Sequence, residues 1–192
     1  MVPQFKSRRS LLRVATVVLG SGVGIGTAGA DRTLEGDTLA EYPTSFSATL
    51  TSDAVAHPVE SDASGAITLE LDPDTRTVEY TVEIAHLCQV TQVRLHCGAE
   101  TDDGPAVVWL YPESGPGIRP TEGRVDGTLA EGTLTVADFD GPFRDEPLEA
   151  VVQTLASEAA YVTVHTTEHP DGALRGRVAP DDAPGGDAAS DK

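Results

Sequence analysis

Lysine is nearly missing from this sequence, occurring only as Lys6 and Lys192. Basic residues number 13 against 31 acidic ones, a net charge of −18. That is the wrong sign for neutralising phosphates, so nucleic acid is excluded as a leading partner, and anionic lipid headgroups are disfavoured. Two cysteines are too few for a disulfide scaffold. Aromatic residues are scarce, at 5%. There is no serine–histidine–acid order, phosphate-binding loop, Gly-x-Gly-x-x-Gly or zinc-protease motif, which removes the commonest catalytic signatures. Glycine (19) and proline (13) are plentiful, and Val and Thr are frequent, a composition of strands and turns rather than long helices.

The N-terminus reads as an export signal. Lys6, Arg8, Arg9 and Arg13 form a basic head, residues 14–30 are uncharged, and Ala28-Gly29-Ala30 before Asp31 is a small-x-small cleavage site. Arg8 and Arg9, within Ser7-Arg8-Arg9-Ser10-Leu11-Leu12, resemble a twin-arginine signal, so cleavage is expected after Ala30. A retained anchor is the competing reading. Glycines at 20, 22, 24, 26 and 29 argue against it, because a span needs about 20 strongly apolar residues. No cysteine follows the site to carry a lipid. Cleavage removes four basic residues and no acidic one, taking the net charge from −18 to −22. So acidic and lysine-poor a surface stays soluble where salt screens it, and a halophilic archaeal source is expected.

Residues 31–43 are polar without a clear period and read as a linker. Residues 44–179 form the domain, and 180–192, with Pro184-Gly185-Gly186 and four aspartates, read as an acidic disordered tail. Period-two alternation predicts a hairpin: Ile67, Leu69 and Leu71, the turn Asp72-Pro73-Asp74, then Val78, Tyr80, Val82 and Ile84. Phe46, Ala48 and Leu50 predict an earlier strand. Ala106–Tyr111 is apolar on both faces, as a central strand would be. Leu129 and Leu134 flank Ala130-Glu131-Gly132 like a short hairpin. One helix, about 146–157, carries Leu148, Val151, Val152 and Leu155 at helical spacing, with Pro147 in its first turn. Strands over Ala160–His165 and Ala173–Val178 follow. The whole predicts an all-β antiparallel Greek-key-like sandwich or flattened barrel with one short covering helix.

Strand parity sorts the candidate ligands. Gln92, Arg94 and His96 share one face, and so do Tyr161, Thr163 and His165. If the two strands adjoin, His96 and His165 could converge on a divalent metal, since neutral imidazole is the commonest protein ligand for one. The plainer reading is a pair of hydrogen-bonding histidines that anchor loops, because two ligands make a weak site.

Three segments together resemble the CHRD domain, named for its occurrence in chordin: Val90-Thr91-Gln92-Val93-Arg94-Leu95-His96-Cys97-Gly98, then Gly104-Pro105 with Ala106–Pro112, then Ala160-Tyr161-Val162-Thr163-Val164-His165-Thr166 with Pro170-Asp171-Gly172 and Leu174-Arg175-Gly176. The resemblance spans about Thr44 to Val178. It implies family-motif roles for Arg94, Gly98, Tyr161, Arg175 and Gly176. The sequence departs from the family pattern twice: Arg94 stands for the first histidine of a paired motif, and Thr163 for an asparagine. The same strands are similar to those of copper/zinc superoxide dismutases, by analogy only. A guanidinium has no lone pair to give, so Arg94 removes a ligand and dismutase chemistry is not expected. Arg94 is expected to pair with an acidic side chain instead.

Cys88 and Cys97 would meet an oxidising compartment, but nine residues of strand span about 30 Å, so a disulfide needs the chain to fold back. Thr101-Asp102-Asp103-Gly104 could offer oxygens to calcium, or be a solvated turn. Arg175 is expected to pack or pair across strands. The resulting expectation is an exported binding or structural module acting on an unknown protein or cell-surface component. It has no cofactor unless a divalent metal binds and no stable membrane span after cleavage. The alternative is a metal-dependent, dismutase-like or hydrolytic enzyme built on His96 and His165.

Overall fold

The computed structural model describes residues 39–56, 60–98, 103–112 and 117–181. The expected signal (Arg8, Arg9, the bond after Ala30), Thr101 and Asp102, and the expected tail past Asp181 lie outside these residues. The strands are β1 (Ser45–Thr51), β2 (Ser64–Asp72), β3 (Thr77–Cys88), β4 (Val90–Cys97), β5 (Ala106–Tyr111), β6 (Arg124–Leu134), β7 (Ala160–Thr166), β8 (Leu174–Arg177) and β9 (Ala179–Pro180). Helix α1 covers Leu148–Ala156. All pairings are antiparallel, in one sheet of order β5-β4-β7-β8-β1-β2-β3-β6, with β9 beside β1. β5 and β6 approach each other at the two ends of this order, so the sheet is a nearly closed, flattened barrel.

Alternation builds the β2–β3 hairpin. Ile67, Leu69, Leu71, Val78, Tyr80, Val82 and Ile84 are buried, while Thr68, Glu70, Glu79 and Glu83 face water. Each large apolar side chain so buried contributes about 1.5–3 kcal/mol. The turn is closed by Asp72, whose carboxylate accepts from the Asp74 (2.9 Å) and Thr75 (3.1 Å) amides. On the inner face, Phe46, Leu50, Val93, Leu95, Val162, Val164 and Leu174 join one core. α1 adds Leu148, Val151, Val152 and Leu155 to it and is tied to the hairpin turn by the paired bonds from Arg76 to Glu149, both 2.8 Å.

Several expectations need correction. Ala130-Glu131-Gly132 is no hairpin turn: it lies inside the continuous strand β6, opposite β3. Gly132 is there because a Cβ would sit 2.9 Å from the Tyr80 ring. β5 is terminal in the sheet order rather than central. Its free edge is covered where the Asp140 amide donates to Val107 O (2.8 Å) and the Tyr80 hydroxyl to Leu110 O (3.0 Å). Pro147 precedes the helix as its N-cap rather than lying in its first turn. The packed domain reaches into the segment read as linker, where Leu39–Glu41 is a 3-10 turn with Leu39 buried. It also reaches into the segment read as tail: Pro180 pairs with Phe46, and the Asp181 carboxylate accepts from Ser45 and Ser47. Cys88 and Cys97 are free thiols rather than a disulfide. They end consecutive strands, with the whole length of β4 between them.

Candidate functional site

The site is a patch of sheet on the face opposite the core. β4 pairs with β7 and β7 with β8, so Arg94, Thr163 and Arg175 form one lateral row across three strands. His96 pairs with Tyr161 on one side of that row, and Gln92 with His165 on the other. Directly paired residues share a face, and their neighbours Val93, Leu95, Val162, Val164 and Leu174 point into the core. Parity therefore brings Arg94, His96, Tyr161, Thr163, His165 and Arg175 together around a cavity of about 540 Å³, which the loops carrying Val55, Asp103 and Asp171 also line.

The hydrogen bonds fix the state of both rings. His96 Nδ1 lies 2.8 Å from the Gly104 carbonyl and His165 Nδ1 lies 2.9 Å from the Pro170 carbonyl. A carbonyl only accepts, so each Nδ1 carries the proton and each neutral ring presents its Nε2 lone pair to the cavity. Both lone pairs meet the Thr163 hydroxyl, at 3.0 Å for His96 and 2.9 Å for His165. That hydroxyl has one proton and can serve only one ring at a time. Arg94 supplies the other ring, its Nη2 donating to His165 Nε2 at 2.8 Å. The expected acidic partner of Arg94 is thus replaced by an imidazole.

Burial disfavours the imidazolium of His165, and the Arg94 charge beside it adds to this, so its pKa falls to about 4. His96 is also held below the ordinary histidine value, first by burial and then by the Arg94 and Arg175 charges, against a raising effect of its Gly104 bond. Burial raises the Tyr161 phenol and lowers the Arg94 guanidinium, which nevertheless stays charged. Tyr161 organises the other half. His96 stacks on its ring with centroids 4.9 Å apart and planes 12° apart, and the Arg175 guanidinium lies 3.8 Å from the ring centroid. Its hydroxyl accepts from the Gly104 amide at 2.8 Å.

Gly104 and Thr163 are the residues whose roles sequence reasoning missed. A Cβ on Gly104 would fall 1.7 Å from Cys97 O, so only glycine lets this loop close on the end of β4 and offer its amide to Tyr161 and its carbonyl to His96. The Gly104-Pro105 pair was the available signal. Gly98, with φ +143, and Gly176, packed against Thr49 O, are structural positions. Arg175 packs over the Tyr161 ring of the neighbouring strand and lies 3.8 Å from the exposed Asp103 carboxylate.

A metal centre would need more than this. Nδ1–H bonds to carbonyls are the usual outer shell of metal-ligating histidines, and the two Nε2 atoms do converge. A guanidinium donor nevertheless stands against one of them, and no group of three or more His, Cys, Asp or Glu suited to a metal occurs among the described residues.

The ordered motifs along β4, β5, β7 and β8 coincide with a known family: the model of the CHRD domain matches residues 46–178. The chain belongs to the CHRD family. The matched region begins in β1 and ends just after β8, so the site lies wholly within the CHRD domain. No curated protein and no solved structure gives a significant match. Among the described residues no helix of this CHRD protein is long and apolar enough to cross a membrane.

Proposed function

We propose that this CHRD protein is exported by a twin-arginine-type signal, cleaved after Ala30, and acts outside the cytoplasm as a binding or structural module without catalytic activity. Its partner is a protein or cell-surface component, and its setting is the high salt for which its acidic, lysine-poor surface is suited. The observation that carries the non-catalytic reading is the Arg94–His165 bond: a permanent cation, 2.8 Å from Nε2, stands against the lone pair that a metal would need. The polar groups are consumed in anchoring loops, His96 to Gly104 and His165 to Pro170, which is structural work.

The second reading, a metal-dependent enzyme on His96 and His165, is favoured by one observation, the convergence of both Nε2 atoms on Thr163 Oγ1. Metal content per chain, by mass spectrometry on mature protein secreted in high salt and purified without chelator, separates the two. A folded, metal-free protein is expected. Stoichiometric copper, zinc or manganese, lost in His96→Ala or His165→Ala, would overturn the first reading in favour of the second. The mass of the same secreted chain should begin at Asp31.

A further inference from the structure

The arginines of this chain are treated unequally. Arg76, Arg124, Arg144 and Arg177 each lie within 3.4 Å of a carboxylate at the surface, as expected where acidic residues are in excess. Arg94 has no carboxylate within ion-pair distance among the described residues, and its Nη2 donates to a neutral imidazole. Its Nε is shut off from solvent without a hydrogen bond. Trp109 shares this condition, because its indole Nε1 is likewise buried with no partner. The two residues are neighbours. β4 pairs with β5 so that Arg94 stands directly opposite Trp109, and directly paired residues share a face with Cβ atoms about 4.5–5.5 Å apart. Trp109 thus extends the lateral row of Arg94, Thr163 and Arg175 onto a fourth strand.

We propose that a halide ion, chloride where salt is abundant, is held between the N–H groups of Arg94 Nε and Trp109 Nε1, bridging β4 and β5. Both groups only donate, so the partner they lack is an acceptor. Buried N–H groups left without one are costly, and two on directly paired residues are within reach of the same atom. A water molecule would accept from both, but its own two protons would then need acceptors and the guanidinium charge would stay uncompensated. A halide only accepts, and its charge meets that of Arg94. Arg94 also lines the cavity of about 540 Å³, which gives an ion a way in from the outer face. Dianions such as sulfate are disfavoured, because the two donors are closed off from solvent and a chain of net charge −18 repels each added negative charge. Halide binding at this pair is independent of any partner of the module, and it leaves the Thr163 and Tyr161 hydroxyls in their bonds to His96, His165 and Gly104.

Trp109 is the only tryptophan of the chain, so tryptophan fluorescence reports on this position alone. Bromide quenches an excited indole on contact and stands in for chloride. The test is titration of the mature protein with sodium bromide against sodium sulfate at constant ionic strength, read by that fluorescence. Quenching that saturates, is reversed by chloride and is weakened roughly tenfold or more in Arg94→Gln is expected. Quenching that grows linearly without saturating, quenching that chloride does not reverse, no quenching at all, or equal saturable quenching in a folded Arg94→Gln variant would each overturn the proposal. Should Arg94→Gln not fold, chlorine-35 NMR decides. Broadening of the chloride line by the parent protein, largely lost in Trp109→Phe, supports the proposal; no broadening by the parent, or equal broadening by Trp109→Phe, overturns it.

Discussion

At the scale of single residues, Arg94 decides what the site is. Its strand position and direction match those of a ligand, and its chemistry is that of a donor. Arg94→His is therefore expected to add a third imidazole beside His96 and His165 and to bind zinc or copper more tightly than the parent does. Metal titration of both proteins checks this, and unchanged affinity would mean that the three positions do not converge. His165 carries a second expectation. Its ring is neutral in the fold, with a pKa of about 4 against an ordinary 6.5 in the unfolded chain. Between those values the unfolded chain binds more protons, so the ring's contribution, on the order of 3 kcal/mol, is complete above about pH 6.5 and is lost as pH falls towards 4. Chemical denaturation at fixed salt across that range should show this slope in the parent and a shallower one in His165→Gln. Parity along β4 and β7 was legible in the sequence, because every second side chain faces one way and each strand mixes an apolar set with a polar one. The partner of Arg94 was not, because it depends on which ring nitrogen a distant carbonyl fixes.

At the scale of elements, what was legible and what was not divide along physical lines. The β2–β3 hairpin and α1 announced themselves because each buries only one face, which leaves a period in the sequence. The continuity of β6 is hidden because Gly132 looks like a turn residue, whereas its missing side chain makes room for the Tyr80 ring. β5 looked central because it is apolar on both faces, although it ends the sheet order and its edge is covered by other means. Gly176 shows the same close approach where β8 joins the rest of the sheet. A Cβ there would sit 2.1 Å from Thr49 O and 2.9 Å from Leu50 Cδ2. Gly176→Ala is expected to cost about 3 kcal/mol or more through this overpacking, measured by denaturant unfolding. Parent-like stability would mean that β1 and β8 can part without loss.

At the scale of the whole molecule, charge dominates. The net charge of −18, or −22 after cleavage at Ala30, works against compactness wherever water alone screens it. Screening shortens from about 10 Å at 0.1 M salt to about 3 Å at 1 M. The thermal midpoint is therefore expected to rise steeply with sodium chloride up to about 1 M and more slowly beyond, and a flat profile would refute self-repulsion as the controlling term. Within this acidic envelope the barrel keeps a cavity lined by two guanidinium groups and two neutral imidazoles, and the protonation of both rings follows from that arrangement. Its most direct test is nitrogen-15 NMR of the histidine rings of the mature protein at pH 7.5, with and without one equivalent of zinc. His96 and His165 are expected to be neutral, protonated on Nδ1 and unmoved by zinc; a charged ring, a proton on Nε2, or zinc-induced shifts of both Nε2 signals would contradict it.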